Sequence, residues 1–149
     1  MISYRLMKPQ DTPGVFRVDQ DCFIHNWSLE SYQNETENIL SNYIVAELEG
    51  EIVGFGGFWL VIDEAHITNI GVLEKYRHCG IGDSIIKEML SHACQNGCVG
   101  MTLEVSTDND PAIKFYEKNG FEKEGIRKNY YGNGIDGFIM WRHNLEYEK

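Results

Sequence analysis

The sequence contains no long hydrophobic run. None of its apolar stretches approaches the roughly 20 residues that a membrane-spanning helix requires, and the N-terminal stretch MISYRLMKPQ lacks the apolar core of a signal peptide. It also has no low-complexity segment, no internal repeat and no linker rich in Pro, Gly or Ser. We therefore expect a cytoplasmic protein that does not associate with membranes, in which residues 1–149 form a single domain.

Cysteines are few, and their spacing is not that of a metal site. The four are Cys22, Cys79, Cys94 and Cys98. None belongs to a C-x-x-C pair, and Cys94 and Cys98 lie one turn apart on a predicted helix. Neither a zinc site nor a disulfide framework follows, so we predict reduced thiols and no bound metal.

Positive charge is in deficit. The chain has 13 Lys and Arg against 23 Asp and Glu, for a formal net charge of −10. Nucleic-acid binding needs a basic face that neutralises phosphates, so we expect no nucleic-acid partner. An acidic enzyme would instead attract cationic substrates such as amines or basic proteins, although solubility alone would equally explain the charge.

Hydrophobic periodicity predicts an α/β chain with a mixed sheet. Strands show alternating apolar residues, and helices show apolar residues at three- and four-residue steps. The clearest helix has Ile81, Ile85, Met89 and Ala93 on one face and is ended by Gly97. In chain order the predicted elements are a strand at 2–6, helices at 11–23 and 28–40, strands at 42–48, 51–61 and 64–73, a helix at 81–95, a strand at 100–106, a helix at 110–120, and strands at 121–128 and 134–145.

Capping residues support three of these helices. Asp11, Ser28 and Asp110 are predicted N-caps, because short polar side chains can accept a hydrogen bond from the first turn. Pro111 suits the first position of the last helix, and Gly120 suits the position after its end.

The strand at 64–73 changes phase in its middle. Ala65 and Ile67 belong to one alternation, whereas Ile70 and Val72 belong to the other. A phase change inside one strand is what a β-bulge produces. Such a bulge would splay the strand from its neighbour and leave backbone groups free to bind a ligand.

A glycine-rich corner, YRHCGIGDSII at 76–86, joins this strand to the clearest helix. The first N–H groups of a helix lack partners and lie at the positive end of its dipole, so such a corner can hold a phosphate. Taken alone, a Gly-x-Gly corner is more often a tight connection. It is not a Walker loop, because no Gly-Lys-Ser/Thr follows, and it lacks the third glycine of a dinucleotide fingerprint.

Five sets of residues match the motifs of one enzyme family in order along the chain. They are Trp27-Ser28; Asn69-Ile70-Gly71-Val72; Arg77-His78-Cys79-Gly80-Ile81-Gly82; Leu103-Glu104-Val105 with Asn109, Ala112, Tyr116 and Gly120-Phe121; and RKNYY with DGFIM near the C-terminus. On these residues nearly the whole chain resembles the GCN5-related N-acetyltransferase (GNAT) superfamily, and within it the bacterial ribosomal-protein-alanine N-acetyltransferases of the RimI type.

The resemblance implies the GNAT fold, a mixed and mostly antiparallel central sheet with a bulged, splayed strand and flanking helices. It also implies acetyl-CoA as co-substrate, with its pyrophosphate at the glycine corner and its pantetheine arm along the bulged strand. Asp83 departs from the basic or neutral residue of many relatives, and its charge is expected to weaken this binding. The implied acetyl-CoA-binding residues are Ile70, Gly71, Val72, Arg77, His78, Cys79, Gly80, Ile81, Gly82, Asp83, Ser84 and Asn109.

Two residues are candidates for catalysis by the same resemblance. Glu104, at the end of a strand, would be the general base, directly or through a water. Tyr116 would be the general acid, because a phenol with a pKa near 10 can pass a proton to a thiolate leaving group. The alternative interpretations are a solvent-facing strand carboxylate for Glu104 and core packing for Tyr116.

Aromatic residues near both ends of the chain are candidates for acceptor binding. Trp27, Tyr130 and Tyr131 would line a groove for an extended N-terminal peptide, or would be packing at its rim. Asn26 replaces a proline of the relatives and leaves the shape of this wall open. His66 and His78 could touch the site, although a lone histidine is more often structural.

The function implied is transfer of an acetyl group to the N-terminal α-amine, an alanine, of a small-subunit ribosomal protein. An α-amine has a pKa of about 7.7–8.0 against about 10.4 for lysine, so a modest base suffices to deprotonate it. A small amine or a lysine side chain is an alternative acceptor, and a non-catalytic acyl-CoA-binding module is an alternative function. We expect a monomer or a weak dimer.

Overall fold

Seven strands form one sheet at the centre of the protein. The structure is a computed structural model that describes residues 1–23 and 27–147. The sheet order is β1-β2-β3-β4-β5-β7-β6, and every neighbouring pair is antiparallel except β4 and β5. The strands are β1 (Ile2–Leu6), β2 (Ser41–Leu48), β3 (Glu51–Val61), β4 (Glu64–Val72), β5 (Gly100–Ser106), β6 (Glu122–Arg127) and β7 (Gly137–His143).

Four α-helices connect the strands in the predicted order. They are α1 (Thr12–Cys22), α2 (Leu29–Glu35), α3 (Ile81–Gln95) and α4 (Asp110–Lys118). In the described part of the chain, no helix is long and apolar enough to cross a membrane. The second helix is shorter than predicted, because the Asn38 side chain accepts a hydrogen bond from the Leu40 N–H at 3.0 Å and turns the chain into β2.

The predicted caps hold in part. Ser28 is confirmed, since its Oγ accepts from the Ser31 N–H at 3.0 Å. Asp110 is wrong, because the N-cap of α4 is Asn109, whose Oδ1 accepts from Ala112. Asp11 precedes α1 but does not bond its first turn, because its carboxylate binds Arg5 and the Lys8 N–H at 2.7 Å.

Helices cover both faces of the sheet, and the lack of a side chain at Gly56 on β3 lets α3 approach closely. A Cβ on Gly56 would lie 2.5 Å from the sulfur of Met89 on α3. A Cβ on the next residue, Gly57, would point to the opposite face and lie 2.3 Å from the ring of Tyr43. On that face the rings of Phe55 and Tyr32, from α2, lie 5.6 Å apart.

The bulge inferred from the phase change is present, and the strand is splayed. Gly57 pairs with Asn69 and Phe58 with Ile67, so Thr68 is the extra residue of β4. On its other side β4 pairs with β5 only as far as His66 with Thr102. Beyond that pair the two strands diverge. The predicted mixed, mostly antiparallel sheet with a bulged, splayed strand is confirmed, and β4 and β5 are separated by a gap.

Candidate active site

A cavity of about 1000 Å³ occupies the gap between β4 and β5. The N-terminal ends of α3 and α4 complete its walls. It brings together most of the predicted site residues, namely Trp27, Ile70, Gly71, Val72, Arg77, His78, Gly80, Ile81, Gly82, Asp83, Glu104, Asn109, Tyr116 and Tyr131. Cys79, Ser84 and Tyr130 are not part of its lining.

The glycine corner presents the free end of α3 to this cavity. His78 and Gly80 have positive φ values of 64° and 83°, so the chain turns sharply before the helix. The first bond of the helix runs from the Ser84 N–H to the Gly80 carbonyl at 3.1 Å. The N–H groups of Ile81, Gly82 and Asp83 therefore precede the helical ladder and can bind an anion. The Ser84 N–H, which was expected to point at a phosphate, is already bonded.

Arg77 fastens the glycine corner to β4. Its Nε donates to the Val72 carbonyl at 2.9 Å, and its Nη2 lies 3.4 Å from the sulfur of Cys22. The Cys22 thiol donates to the same carbonyl at 3.2 Å, and burial raises the pKa of this thiol. The Val72 carbonyl is therefore not one of the free backbone groups predicted along the bulged strand. Cys79 directs its thiol to the Arg77 carbonyl at 3.6 Å.

The carboxylate of Asp83 has partners on α4 and just beyond it. Lys118 Nζ lies 2.8 Å from one of its oxygens, and Asn119 Nδ2 donates to the other at 3.0 Å. The hydrogen bond from Lys118 holds the pKa of Asp83 below its ordinary value. Because the negative charge is compensated locally, Asp83 repels a phosphate at the helix N-terminus less than the sequence suggested.

Glu104 lines the cavity from β5, and it is not free. Its Oε1 lies 3.4 Å from Nε of Arg127, the last residue of β6. The Glu104 side chain is 26% exposed, so it is accessible from the cavity without being a fully solvated surface carboxylate. The ion pair was not predicted, because the two residues lie on strands that are separated by β7.

Tyr116 lies on α4 with its ring in the core and one edge in the cavity. Its ring contacts Phe115 and Phe121 at centroid distances of 5.3 and 5.7 Å. Burial, and secondarily the nearby Tyr131, raise the pKa of Tyr116. Its hydroxyl therefore keeps its proton at neutral pH, as a general acid must. The packing and the catalytic interpretations of Tyr116 are compatible, because its ring packs in the core while its hydroxyl is available for proton transfer.

The loop between β6 and β7 carries Tyr130 and Tyr131 in a fixed arrangement. Asn129 holds it, donating its N–H to Asp136 at 2.8 Å and accepting from the Gly134 N–H at 2.6 Å. The two tyrosine rings meet edge to face at 4.9 Å. Tyr131 lines the cavity, and burial raises its pKa to about 12. Tyr130 packs against Tyr131 without lining the cavity itself.

On the side of β4 that faces away from β5, a buried polar network supports the cavity, and no pattern in the sequence indicates it. Tyr32 donates a short hydrogen bond to the fully buried Asp19, and its oxygen accepts from Asn69 Nδ2 at 2.8 Å. Tyr43 donates to Asn69 Oδ1 at 3.0 Å and lies 2.9 Å from the hydroxyl of Thr68. The network joins α1, α2 and β2 to the bulge of β4. Burial is the first cause that raises the pKa values of Tyr32 and Tyr43.

Trp27 contacts this network and also lines the cavity. The backbone N–H of Trp27 donates to the Asp19 carboxylate at 3.3 Å, and the centre of its ring lies 5.3 Å from that of the Tyr32 ring. Asn26, also considered for this wall, lies outside the described residues. His78 lines the cavity, whereas His66 does not and instead contacts Glu64 and the ring of Trp141. Within residues 1–23 and 27–147, no group of three His, Cys, Asp or Glu residues could hold a metal ion.

Comparisons with known proteins agree with this geometry. The model of the acetyltransferase (GNAT) family matches residues 12–121. The chain belongs to the acetyltransferase (GNAT) family, and it is an acetyl-CoA-dependent N-acetyltransferase.

The chain is similar to individual members of this family over most of its length. A protein of Bacillus subtilis (strain 168) named "Putative ribosomal protein bS18-alanine N-acetyltransferase" is 35% identical over 139 residues, which is 92% of each chain. The crystal structure of the ribosomal-protein-S18-alanine N-acetyltransferase from Escherichia coli matches with a TM-score of 0.88 at 25% identity, covering 97% of this chain and 94% of that one. Ard1 from Thermoplasma volcanium matches with a TM-score of 0.89 at 29% identity, covering 97% and 99%.

The buried network predicts a stability effect at Tyr32. Replacing Tyr32 with Phe keeps the ring and removes the hydroxyl that bridges Asp19 and Asn69. Losing one partner of a buried polar group costs about 1–3 kcal/mol, and we expect urea denaturation to show a loss of this size in the free energy of unfolding.

Tyr147→Phe is the matched control, because Tyr147 is 81% exposed and the substitution removes the same hydroxyl group. We expect that variant to stay within about 0.5 kcal/mol of the parent. Equal stabilities of the two variants would show that the Tyr32 hydroxyl does not hold the network together.

Proposed function

We propose that this N-acetyltransferase acetylates the N-terminal α-amine of a protein, and that its acceptor is the N-terminal alanine of a small-subunit ribosomal protein. The observation that carries the proposal is the meeting of Glu104 and Tyr116 in one cavity with the free end of α3. The names of the relatives from B. subtilis and E. coli support the acceptor.

The donor site fits acetyl-CoA in charge and shape. The N–H groups of Ile81, Gly82 and Asp83 would hold the pyrophosphate. Gly82 keeps the corner narrow, since a Cβ there would come within 3.1 Å of the Phe115 ring. The unpaired edge of β4 from Ile70 to Gly71 would bind the pantetheine arm, together with the side-chain NH2 group of Asn109, whose Oδ1 caps α4. Acetyl-CoA supplies the activated acetyl group.

Glu104 would accept the proton of the incoming amine. An α-ammonium has a pKa of about 7.7–8.0, so part of the amine is already deprotonated near neutral pH. A nearby carboxylate, acting directly or through a water, therefore suffices as the base. Glu104 lines the same cavity as Trp27 and Tyr131, which supports a role in contact with an acceptor that would enter between these two rings.

Tyr116 would deliver a proton to the departing sulfur. Its hydroxyl forms no hydrogen bond with any of the residues that the structure describes, so it is available to a bound thioester. Because burial keeps the phenol protonated, it can donate as negative charge develops on the sulfur.

The acceptor is tested by mass spectrometry of peptides incubated with the protein and acetyl-CoA. A peptide that begins with Ala, continues with basic residues and contains an internal lysine should be acetylated at its N-terminus only. The rate should fall as salt rises, because charge attraction to this acidic protein is screened over about 8–10 Å at physiological ionic strength. Faster acetylation of the internal lysine would contradict the proposed acceptor. Absence of any transfer, despite binding of acetyl-CoA, would favour a non-catalytic acyl-CoA-binding module.

Tyr116→Phe tests the general acid. We expect the acetylation rate to fall roughly 10²–10⁴-fold, the usual scale for losing a general acid. Stability should hardly change, since the ring is kept and the lost hydroxyl has no partner among the described residues. Thiol release and thermal melting measure the two effects, with Tyr147→Phe as the control. A variant that melts early but remains fully active per folded molecule would make Tyr116 a packing residue only.

Glu104→Gln tests the general base through pH. We expect a loss of rate that is largest near neutral pH and smaller above pH 8, where the α-amine is already deprotonated. The measurement is the pH–rate profile of the variant beside that of the parent. Profiles of identical shape would mean that the base is elsewhere, or that the amine arrives deprotonated from solution.

A further inference from the structure

Arg127 reaches the proposed active site from the edge of the sheet. It is the last residue of β6, and in the register of the sheet it faces Gly137 of β7. Glu104 lies beyond β7 on β5, opposite Ile139. The absence of a side chain at Gly137 leaves room for the rings of Tyr130 and Tyr131, which lie over that position.

The Arg127 side chain is close to both an aromatic ring and a carboxylate. Its Cζ is 5.8 Å from the centre of the Tyr130 ring, and its Nε is 3.4 Å from Glu104 Oε1. A ring and a carboxylate together form a site for a cation. In the free protein that site therefore holds a cation supplied by the chain itself.

This arrangement is easily displaced. The Arg127 side chain is 55% exposed, and its closest approach to Glu104 is a long one of 3.4 Å. Exposed ion pairs of this kind contribute little to stability, so the guanidinium can leave at low cost. The other carboxylate in the cavity lining, that of Asp83, is engaged by Lys118 and Asn119 and lies at the helix N-terminus.

We infer that Arg127 occupies, in the free enzyme, the position that the acceptor's α-ammonium takes on Glu104, and that the acceptor binds by displacing it. The inference rests on the proposed function and adds how the acceptor is selected. An α-ammonium can replace a guanidinium on a carboxylate, whereas an uncharged N-terminus cannot. Arg127 thus competes with the acceptor for Glu104. A neutral or acetylated peptide N-terminus cannot displace it from the carboxylate.

The test measures the dissociation constant of two peptides with the Arg127→Ala variant. For a peptide with a free N-terminal Ala, we expect binding to tighten roughly two- to fivefold relative to the parent, the scale of an exposed ion pair. For the same peptide with an acetylated N-terminus, we expect no change. Fluorescence anisotropy with a label at the C-terminus of each peptide gives both constants.

Lys123→Ala is the matched control variant. It removes the same charge from the same strand, but Lys123 lies 4.6 Å over the Phe138 ring rather than against Glu104. Both variants make the protein more acidic, so only the excess of the Arg127→Ala effect over the Lys123→Ala effect supports the inference. In the Arg127→Ala variant, millimolar guanidinium chloride should weaken binding of the free peptide again, compared with sodium chloride at equal ionic strength.

Two results would overturn the inference. Weaker binding of the free peptide to Arg127→Ala would mean that Arg127 contacts the acceptor or orients Glu104. Equal tightening for both peptides would reflect net charge and not displacement. Failure of the proposed function is visible separately, because the parent protein would then acetylate no peptide at its α-amine, whatever the variants bind.

Discussion

The divergence of β4 from β5 is the constraint on which the active site depends. The two strands share hydrogen bonds only from Glu64 to His66 on β4, and the bulge at Thr68 then turns β4 away. A closed sheet would leave no cavity and no unpaired strand edge. Because the strands part, the N-terminal ends of α3 and α4, the edge of β4 and the Glu104 carboxylate all face one space.

Polar contacts on both sides hold this opening in place. Behind β4, hydrogen bonds from Tyr32 to Asp19 and from Asn69 to Tyr32 attach the bulge to α1 and α2. In front of it, Arg77 joins the glycine corner to the end of β4. The acidic groups of the cavity have cationic partners as well, Lys118 for Asp83 and Arg127 for Glu104. In a protein with a net charge of −10, both acidic side chains that line the cavity are thus paired with a cationic side chain.

Most of the fold could be predicted from the sequence, because strands, helices and turns leave local patterns. The change of phase between Ile67 and Ile70 was enough to predict the bulge. The N-cap of α4 was misplaced by one residue, because Asn109 and Asp110 both have side chains suited to capping. The span of the glycine motif likewise did not reveal which of its residues, such as Cys79 and Ser84, would lie outside the cavity.

The contacts that define the candidate site, unlike the strands, helices and turns, leave no local pattern in the sequence. Arg127 with Glu104, Lys118 with Asp83, and Tyr32 with Asp19 and Asn69 each join elements that are separate in sequence. No spacing rule links such pairs, since they depend on which strands become neighbours and how the helices cross them. The sequence does not mark Tyr32 as different from other residues of its helix, and only its burial beside Asp19 shows its role in the network.

The central claim, that acetyl-CoA binds in the gap between β4 and β5, is tested most directly by amide hydrogen exchange. A second cleft of about 910 Å³, lined by Lys87, Leu90, Trp141 and Arg142 among others, offers a comparable volume. With saturating acetyl-CoA, we predict slower exchange at the amides of Ile70 to Val72 and Ile81 to Asp83. Along the second cleft, we predict that the exchange rates do not change. Protection confined to the second cleft, with the amides of β4 and the glycine corner unchanged, would contradict the account.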